Sequence, residues 1–320
     1  MLRLQCSKVW GGIKNENLDV CSPGLNVSLY SSSCNGGRGG DVYYFSMCSA
    51  NSVTRIALAD VVGHGEAVSQ IGQWVYEQVA ARLDELDLSG MMANLNERIV
   101  RKGFNALTTA VVLSCSRDLK RVYCCNAGHP PMLIRSHDGE WNELVPPRSE
   151  TLENLPLGVT NDARYVMSDA HLTDGEVLLI YSDGVLEAPN RDGVLFGFLR
   201  LRAALREIGS ADASELKHGV INRLRDWTGG SLDHDDVTLI AIQLDEHGRS
   251  PGRASPKEYR RVAARVLRHC DERSWFATGS SASRIRNGDD KPLDHGTRSF
   301  VCGDCSGDLR GMPVRWARSP

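Results

Sequence analysis

Two rhythms of apolar residues alternate along the chain. Leu25-Asn-Val-Ser-Leu-Tyr30 switches between apolar and polar at each step, the period of a half-buried strand. After the Gly-rich stretch Gly36-Gly37-Arg38-Gly39-Gly40, the runs Asp41–Met47 and Val53–Val62 read as two strands close enough in sequence to form a hairpin. The period then changes. Val68, Ile71, Val75, Val79 and Leu83 recur at intervals of three and four, which predicts one face of a helix beginning near Glu66. A second helix is predicted from Ser89, a residue type suited to an N-cap, to Lys102, with Gly103 as its stop. Strand patterns return at Thr108–Cys115, Lys120–Cys125 and Met132–Arg135, separated by Ser/Asp and Gly-His-Pro-Pro turns, and again at Glu176–Ser182. Phe196–Glu207 and Ala213–Trp227 read as helices and Val237–Leu244 as a closing strand, whereas residues 1–24 have no clear period. Clustered strands with helices in pairs predict antiparallel sheets covered by helices, an α+β layered domain, rather than the strand–helix alternation of a parallel sheet.

The 320 residues leave room for one large or two ordinary domains, and 41% hydrophobic with 24% charged residues is the balance of a globular chain. The longest apolar stretches, such as Thr109–Leu113 and Val177–Tyr181, fall far short of the roughly 18 residues that a membrane span requires. Met1–Trp10 holds no sustained apolar segment of an export signal, so a cytoplasmic protein without membrane contact is expected. The net charge of −3 hides a polarity: residues 246–320 carry 15 Lys/Arg against 9 Asp/Glu, residues 1–245 carry 22 against 31. An acidic body argues against general nucleic-acid binding, which needs a basic face. Beyond Leu244 the composition shifts to Arg, Ser, Gly and Asp, predicting a domain over 1–245 and a solvated, partly disordered tail over 246–320 with one short helical candidate at Pro256–Cys270. The ten cysteines are expected to be mostly free thiols; Cys124 and Cys125, adjacent on a strand, point to opposite faces and are poorly placed to bridge. Cys302-Gly-Asp-Cys305, near His269, Cys270 and His295, is a single CxxC and a weak zinc candidate.

Four Asp-centred motifs stand at strand ends or in the turns beside them: Gly39-Gly40-Asp41, Ala59-Asp60-Val61-Val62-Gly63-His64-Gly65, Ser182-Asp183-Gly184 and Asp235-Asp236-Val237-Thr238. Each alone is ordinary turn chemistry. Together, four carboxylates at the edges of β elements, three of them beside glycines, are the hard oxygen ligands that Mg²⁺ or Mn²⁺ prefers, without the His and Cys clusters of zinc or copper sites. Two such ions can lower the pKa of a water and aim it at phosphorus, so no protein nucleophile is needed. The chain accordingly has no Gly-x-Ser-x-Gly elbow, no Walker-type loop and no kinase His-Arg-Asp set.

The succession GGD, ADVVGHG, NAGHPP, YSDGVLEA and DDVT resembles the protein phosphatase 2C (PPM) superfamily, specifically the bacterial branch typified by sporulation stage II protein E, over about Val27 to Leu244. The resemblance implies two stacked antiparallel sheets with helices outside, and hydrolysis of phosphoserine or phosphothreonine on proteins with two Mn²⁺ or Mg²⁺ ions. It implies that Asp60 bridges both ions, that the Val61 backbone carbonyl and Asp41 serve one, and that Asp183 and Asp235 hold the other, with the adjacent Asp236 as the alternative to Asp235. His64 is a candidate general acid, but it follows Asp60 by four residues where the family's histidine follows by two, and a loop-orienting role is the competing reading. Arg38 is a candidate phosphate ligand, and His129 is expected to be turn architecture. The expected partners are a phosphorylated regulatory protein as substrate, by family analogy an anti-sigma-factor antagonist, and an activating protein; a switch of the Glu66–Leu86 helix is another route of control. The rivals are a catalytically inactive phosphatase-fold scaffold and a dinuclear phosphodiesterase. The intact carboxylates argue against the first, and the lack of His-rich motifs and of a basic groove against the second.

Overall fold

A computed structural model describes residues 2–3, 9–22, 24–34, 36–48, 53–63, 66–82, 87–103, 107–116, 120–145, 152–171, 173 and 176–244. In chain order the strands are β1 (Leu2–Arg3), β2 (Val9–Lys14), β3 (Glu16–Ser22), β4 (Leu25–Ser32), β5 (Arg38–Cys48), β6 (Val53–Val61), β7 (Thr108–Ser116), β8 (Arg121–Ala127), β9 (Met132–Arg135), β10 (Trp141–Leu144), β11 (Met167–His171), β12 (Val177–Tyr181) and β13 (Val237–Leu244). The helices are α1 (Glu66–Ala80), α2 (Leu88–Lys102), α3 (Gly197–Ile208) and α4 (Ala213–Thr228), with a single 3₁₀ turn at Asp183–Val185. A seven-stranded sheet has the order β1-β3-β4-β13-β12-β9-β10, and a six-stranded sheet the order β11-β8-β7-β6-β5-β2. All strand pairs are antiparallel except the short β1–β3 pair.

Three cores separate four layers. Between the sheets lie Val27, Leu29, Tyr43, Phe45, Ile56, Leu58, Val111, Leu113, Ile180 and Ile240. Val42, Tyr44, Ala57 and Val112, one residue out of phase with these, face α1 and α2 together with Val75, Met92 and Leu95. Leu179, Tyr181, Leu239 and Ala241 face α3 and α4 together with Leu201, Leu205, Leu216 and Leu224. Successive side chains of a strand point to opposite faces, so the central strands read as continuous apolar runs because both faces are covered. Each fully buried Leu, Ile or Val contributes about 1.5–3 kcal/mol, and this double coverage is what holds the layers.

The predicted layering and all four helices are present, with corrections at their ends. The N-cap of α2 is Asp87, whose carboxylate accepts from the Gly90 N–H at 3.0 Å; Ser89 donates its hydroxyl to Asp87 instead of capping. Gly103 ends α2 in the left-handed conformation at φ 64°, where a Cβ would be strained. Residues 1–24, without a visible period, contribute β1, β2 and β3, and the polar segments β10 and β11 are also strands that pattern did not mark. Cys124 packs between the sheets and Cys125 toward α2, and Cys34, Cys115, Cys124 and Cys125 are free thiols. The tail 246–320, the helical candidate Pro256–Cys270, the Cys302/Cys305 pair and His64 lie outside the described residues. Among the described residues no helix is long and apolar enough to cross a membrane.

Candidate metal centre

The chain reaches the site from both sheets. β4 ends at Ser32 in the seven-stranded sheet and β5 begins at Arg38 in the six-stranded one, so residues 33–37 carry the backbone from one sheet to the other. Asp41 and Asp60 are direct partners across β5 and β6, and Thr109 of β7 lies opposite Asp60 on its other side. In the seven-stranded sheet β12 pairs with β13 through Tyr181↔Leu239, which places Ser182-Asp183 at the end of one strand beside Asp235-Asp236 at the start of the next. The Ser182 hydroxyl donates to Asp41 Oδ2 at 2.8 Å and so joins the two halves. Asp183 is close enough to Asp60 for its charge to raise that carboxyl.

The electrostatics of the four carboxylates follow from this crowding. Burial pushes the Asp41 carboxyl up to about 7; hydrogen bonds from Thr238 and Ser182 oppose the rise, and the charges of Asp236 and Asp183 add to it. Burial, followed by the charges of Asp41, Asp183 and Asp235, pushes Asp60 up to about 9. Asp235 is raised by burial and by Asp183 and Asp236, the N–H of Asp236 opposing. Glu187, four residues after Asp183, is raised by burial and then by Asp183 and Asp235, which marks it as a further carboxylate at the rim. Like charges gathered in a poorly hydrated place cannot all ionise without a compensating cation.

The donor set fits divalent cations. Asp41 Oδ1 is buried and accepts no hydrogen bond among the described residues, although buried carboxylate oxygens are ordinarily satisfied. Every acidic group is a hard oxygen donor suited to Mg²⁺ or Mn²⁺. The Val61 carbonyl faces the same end of the sheet, where it would meet a Cβ on Gly40 at 2.7 Å. No three His, Cys, Asp or Glu side chains among the described residues already close on a common point as a finished cage. The fit rests instead on the raised Asp41, Asp60 and Asp235, lifted first by burial and then by one another's charge, and on the Asp41 oxygen without a donor among the described residues, because side-chain rotation closes a cage more readily than it brings four carboxylates together.

The neighbouring Asp235 and Asp236 differ sharply. Asp236 is buried, and its two carboxylate oxygens accept from the backbone N–H of Cys34, at 2.9 Å, and of Gly40. Asp235 is half-buried and, among the described residues, accepts only the Asp236 N–H at 2.8 Å, so its second oxygen has no donor there. Arg38 begins β5 exposed, with its carbonyl accepting from the Ser69 hydroxyl at 2.8 Å; strand alternation places its side chain on the helix-facing side with Val42 and Tyr44, opposite to Asp41. The structure therefore does not bring Arg38 into the carboxylate cluster. His129 is buried and its pKa is pushed down to about 3 by burial, so it is a neutral imidazole paired with the Thr109 hydroxyl at 2.8 Å. Its backbone N–H donates to Asn126 Oδ1 at 2.8 Å and its carbonyl accepts from Asn126 Nδ2 at 3.1 Å, an Asn-closed turn in keeping with the expected architectural role.

Three supporting groups escaped the sequence reading. The Ser182 hydroxyl holds Asp41 and is itself held by the Thr238 N–H at 2.9 Å, and the presence of both residues inside the SDG and DDVT motifs was the available signal. His234 Nε2 lies 2.8 Å from the Gly184 carbonyl and ties the Asp183 turn to the Asp235 turn.

Comparison with known proteins places this arrangement. Residues 51–245 match the family described as Stage II sporulation protein E (SpoIIE). Phosphoserine phosphatase RsbU of Bacillus subtilis (strain 168) is 28% identical over 211 residues, which are 64% of this chain and 59% of RsbU, so the chain spans about three fifths of that relative. The SiaA-PP2C domain of Pseudomonas aeruginosa superposes with a TM-score of 0.59 at 18% identity, covering 68% of this chain and 86% of that one. RsbX, solved in complex with magnesium, superposes with a TM-score of 0.55 at 18% identity, covering 72% of this chain and 100% of that one. The likeness shows that the two sheets and four helices form the protein phosphatase 2C-like fold.

Proposed function

Because the chain belongs to the stage II sporulation protein E (SpoIIE) family, we propose that it is a metal-dependent serine/threonine protein phosphatase. The observation that carries the reading is the set of carboxylates raised first by burial and then by one another, around an Asp41 oxygen that accepts no hydrogen bond among the described residues. Asp60 would be shared between two Mn²⁺ or Mg²⁺ ions, with Asp41 and the Val61 carbonyl on one side and Asp183 and Asp235 on the other. When bound, such a pair supplies Lewis acidity and a water of lowered pKa for in-line attack on a phosphoryl group. The protein's own residues do the rest. Ser182, held by the Thr238 N–H, orients Asp41, the strand pairing holds Asp41 and Asp60 opposite each other, and apolar layers lie beneath the site.

The substrate in this reading is a phosphorylated regulatory protein met in the cytoplasm, in line with the phosphoserine phosphatase name of the relative RsbU. An anti-sigma-factor antagonist is the substrate to try first, and an activating partner is the first regulator to seek.

Release of phosphate from a phosphoserine peptide and from p-nitrophenyl phosphate, with Mn²⁺, Mg²⁺ or EDTA, tests the proposal. Turnover should require metal and should fall at least about 1,000-fold in Asp60→Asn and Asp183→Asn, equivalent to roughly 4 kcal/mol of barrier. Turnover that survives EDTA or both substitutions sinks it, and preferential hydrolysis of bis(p-nitrophenyl) phosphate would reassign the site to phosphodiesters.

A further inference from the structure

Around the ligand candidates, one buried acid bonds to the backbone or side chains beside Asp41, Asp183 and Asp235 and has both of its carboxylate oxygens engaged by backbone N–H groups. Asp236 accepts from the Cys34 N–H at 2.9 Å and from the Gly40 N–H, immediately before Asp41. Its own N–H donates to Asp235 Oδ1 at 2.8 Å. Its carbonyl lies 3.4 Å from the Ser182 hydroxyl, next to Asp183 and already bonded to Asp41. These contacts span 202 and 196 residues of sequence toward the β4–β5 link and 54 toward the Ser182 turn.

The glycines of the motifs report on the same residue. A Cβ on Gly39 would stand 2.6 Å from the Asp236 carboxyl carbon. A Cβ on Gly184 would overlap the Asp236 carbonyl and come within 3.0 Å of its carbon. Neither glycine has the left-handed backbone that would require glycine for conformational reasons. Gly39 and Gly184 therefore make room for Asp236, and the GGD and SDG motifs are shaped by a side chain far away in the sequence.

We propose that Asp236 is a positioning residue rather than a ligand: it knots the start of β5 beside Asp41 to the Asp183 and Asp235 turns, so that the cations would meet a preorganised set. The inference rests on the phosphatase reading for the identity of the site, but its action is on metal affinity, which is measured without turnover. Groups that orient metal ligands from behind are worth about 10–100-fold in affinity, whereas a lost ligand removes an ion.

Calorimetric titration of the intact chain with Mn²⁺ separates the two. For Asp236→Asn, which keeps one acceptor oxygen, the expected result is about tenfold weaker binding at unchanged stoichiometry, and for Asp236→Ala about a hundredfold. Asp235→Asn should instead lower the number of ions bound. Affinity of Asp236→Asn within twofold of the wild type, or a drop in its stoichiometry like that of Asp235→Asn, overturns the inference. A thermal double-mutant cycle of Asp236→Ala with Gly39→Ala tests the same contact at temperatures where each single variant is still folded. Gly39→Ala should lower the midpoint by roughly 5 °C in the wild-type background and by less than half as much in the Asp236→Ala background, where the carboxyl carbon that the added methyl meets is gone. Equal losses in both backgrounds count against the knot. A wild type that binds Mn²⁺ but releases no phosphate defeats the phosphatase reading alone; one that binds no Mn²⁺ defeats both.

Discussion

The two halves of the site are built on different principles. Asp41 and Asp60 sit inside strands, are neighbours by antiparallel register, and gain their position from a ladder running from Asp41↔Asp60 to Cys48↔Val53. Asp183 and Asp235 sit in turns beyond strand ends and are held by individual hydrogen bonds: His234 to the Gly184 carbonyl, Asp236 to Gly40, Ser182 to Asp41. A ladder distributes the cost of holding two like charges over many bonds. A turn concentrates it in a few, so the turn-borne half should be the one that single substitutions loosen.

The sharpest test is Gly184→Ala. The added methyl meets the Asp236 backbone rather than a flexible side-chain end, so the turn must shift. A loss of about 3 kcal/mol or more in denaturant unfolding, with loss of Mn²⁺ binding, is expected. Normal affinity in that variant would mean that the turn is as well buttressed as the strands.

The strand-borne half answers to pH. With an unfolded value near 3.8, Asp60 held up to about 9 binds a proton in the folded protein that the unfolded chain has lost. Its contribution is therefore complete below about pH 4 and disappears as pH rises through 9; Asp41, held up to about 7, behaves alike over a lower window. His129, pushed down to about 3 from 6.5, works in the opposite sense below pH 6.5, so the informative range lies above it. In EDTA, thermal stability should fall from pH 6.5 to 9 by roughly 1.4 kcal/mol per unit for each proton released. Asp60→Asn should flatten that slope. A slope unchanged by the substitution would show that the strand pair does not carry the strain.

A smaller effect bounds the comparison from outside. Lys217 of α4 is 2% exposed and pairs with Asp19 of β3 at 3.1 Å, while the Ser28 hydroxyl donates to the same Asp19 oxygen at 2.6 Å. Asp19→Ala leaves a buried ammonium unpaired and should cost about 2 kcal/mol, below the range for fully buried pairs because Asp19 is half-exposed. Mn²⁺ affinity should not change; if it did, the turn-borne half would depend on the helix layer behind it. Smallest of all, Leu199→Ser on α3, where the side chain is 81% exposed, should stay within about 0.5 kcal/mol in the same unfolding assay.

Legibility in the sequence followed the same division. β4 could be read from its alternation, the runs that became β5 to β8, β12 and β13 because both of their faces are covered, and the helices because their apolar faces repeat at three and four residues. Val9–Lys14 with its paired glycines, and Met167–His171 with Ser, Asp and His, carry no such mark; they are edge strands whose pairing to β5 and β8 comes from neighbours far along the chain. Asp87 rather than Ser89 caps α2 for a similarly fine reason, since two suitable cap residues two positions apart differ only in where the first turn begins. Asp41, Asp60 and Asp183 were visible as motif residues, whereas Ser182, Thr238, His234 and Glu187 become part of the site only once two sheets meet.

By itself the sequence determined the α+β layering, most element positions and the acidic residues available for cations, because periodicity and residue type are local properties of the chain. Which of Asp235 and Asp236 has both oxygens engaged by the backbone was decided by the tertiary structure alone. In the chain they are adjacent and chemically identical. They part only when the Cys34 and Gly40 N–H groups arrive from 202 and 196 residues away and occupy both oxygens of one, leaving the other against Asp183. An unpaired backbone N–H buried beneath two sheets must find an acceptor, and that need, which no local pattern records, assigns the two aspartates their separate places.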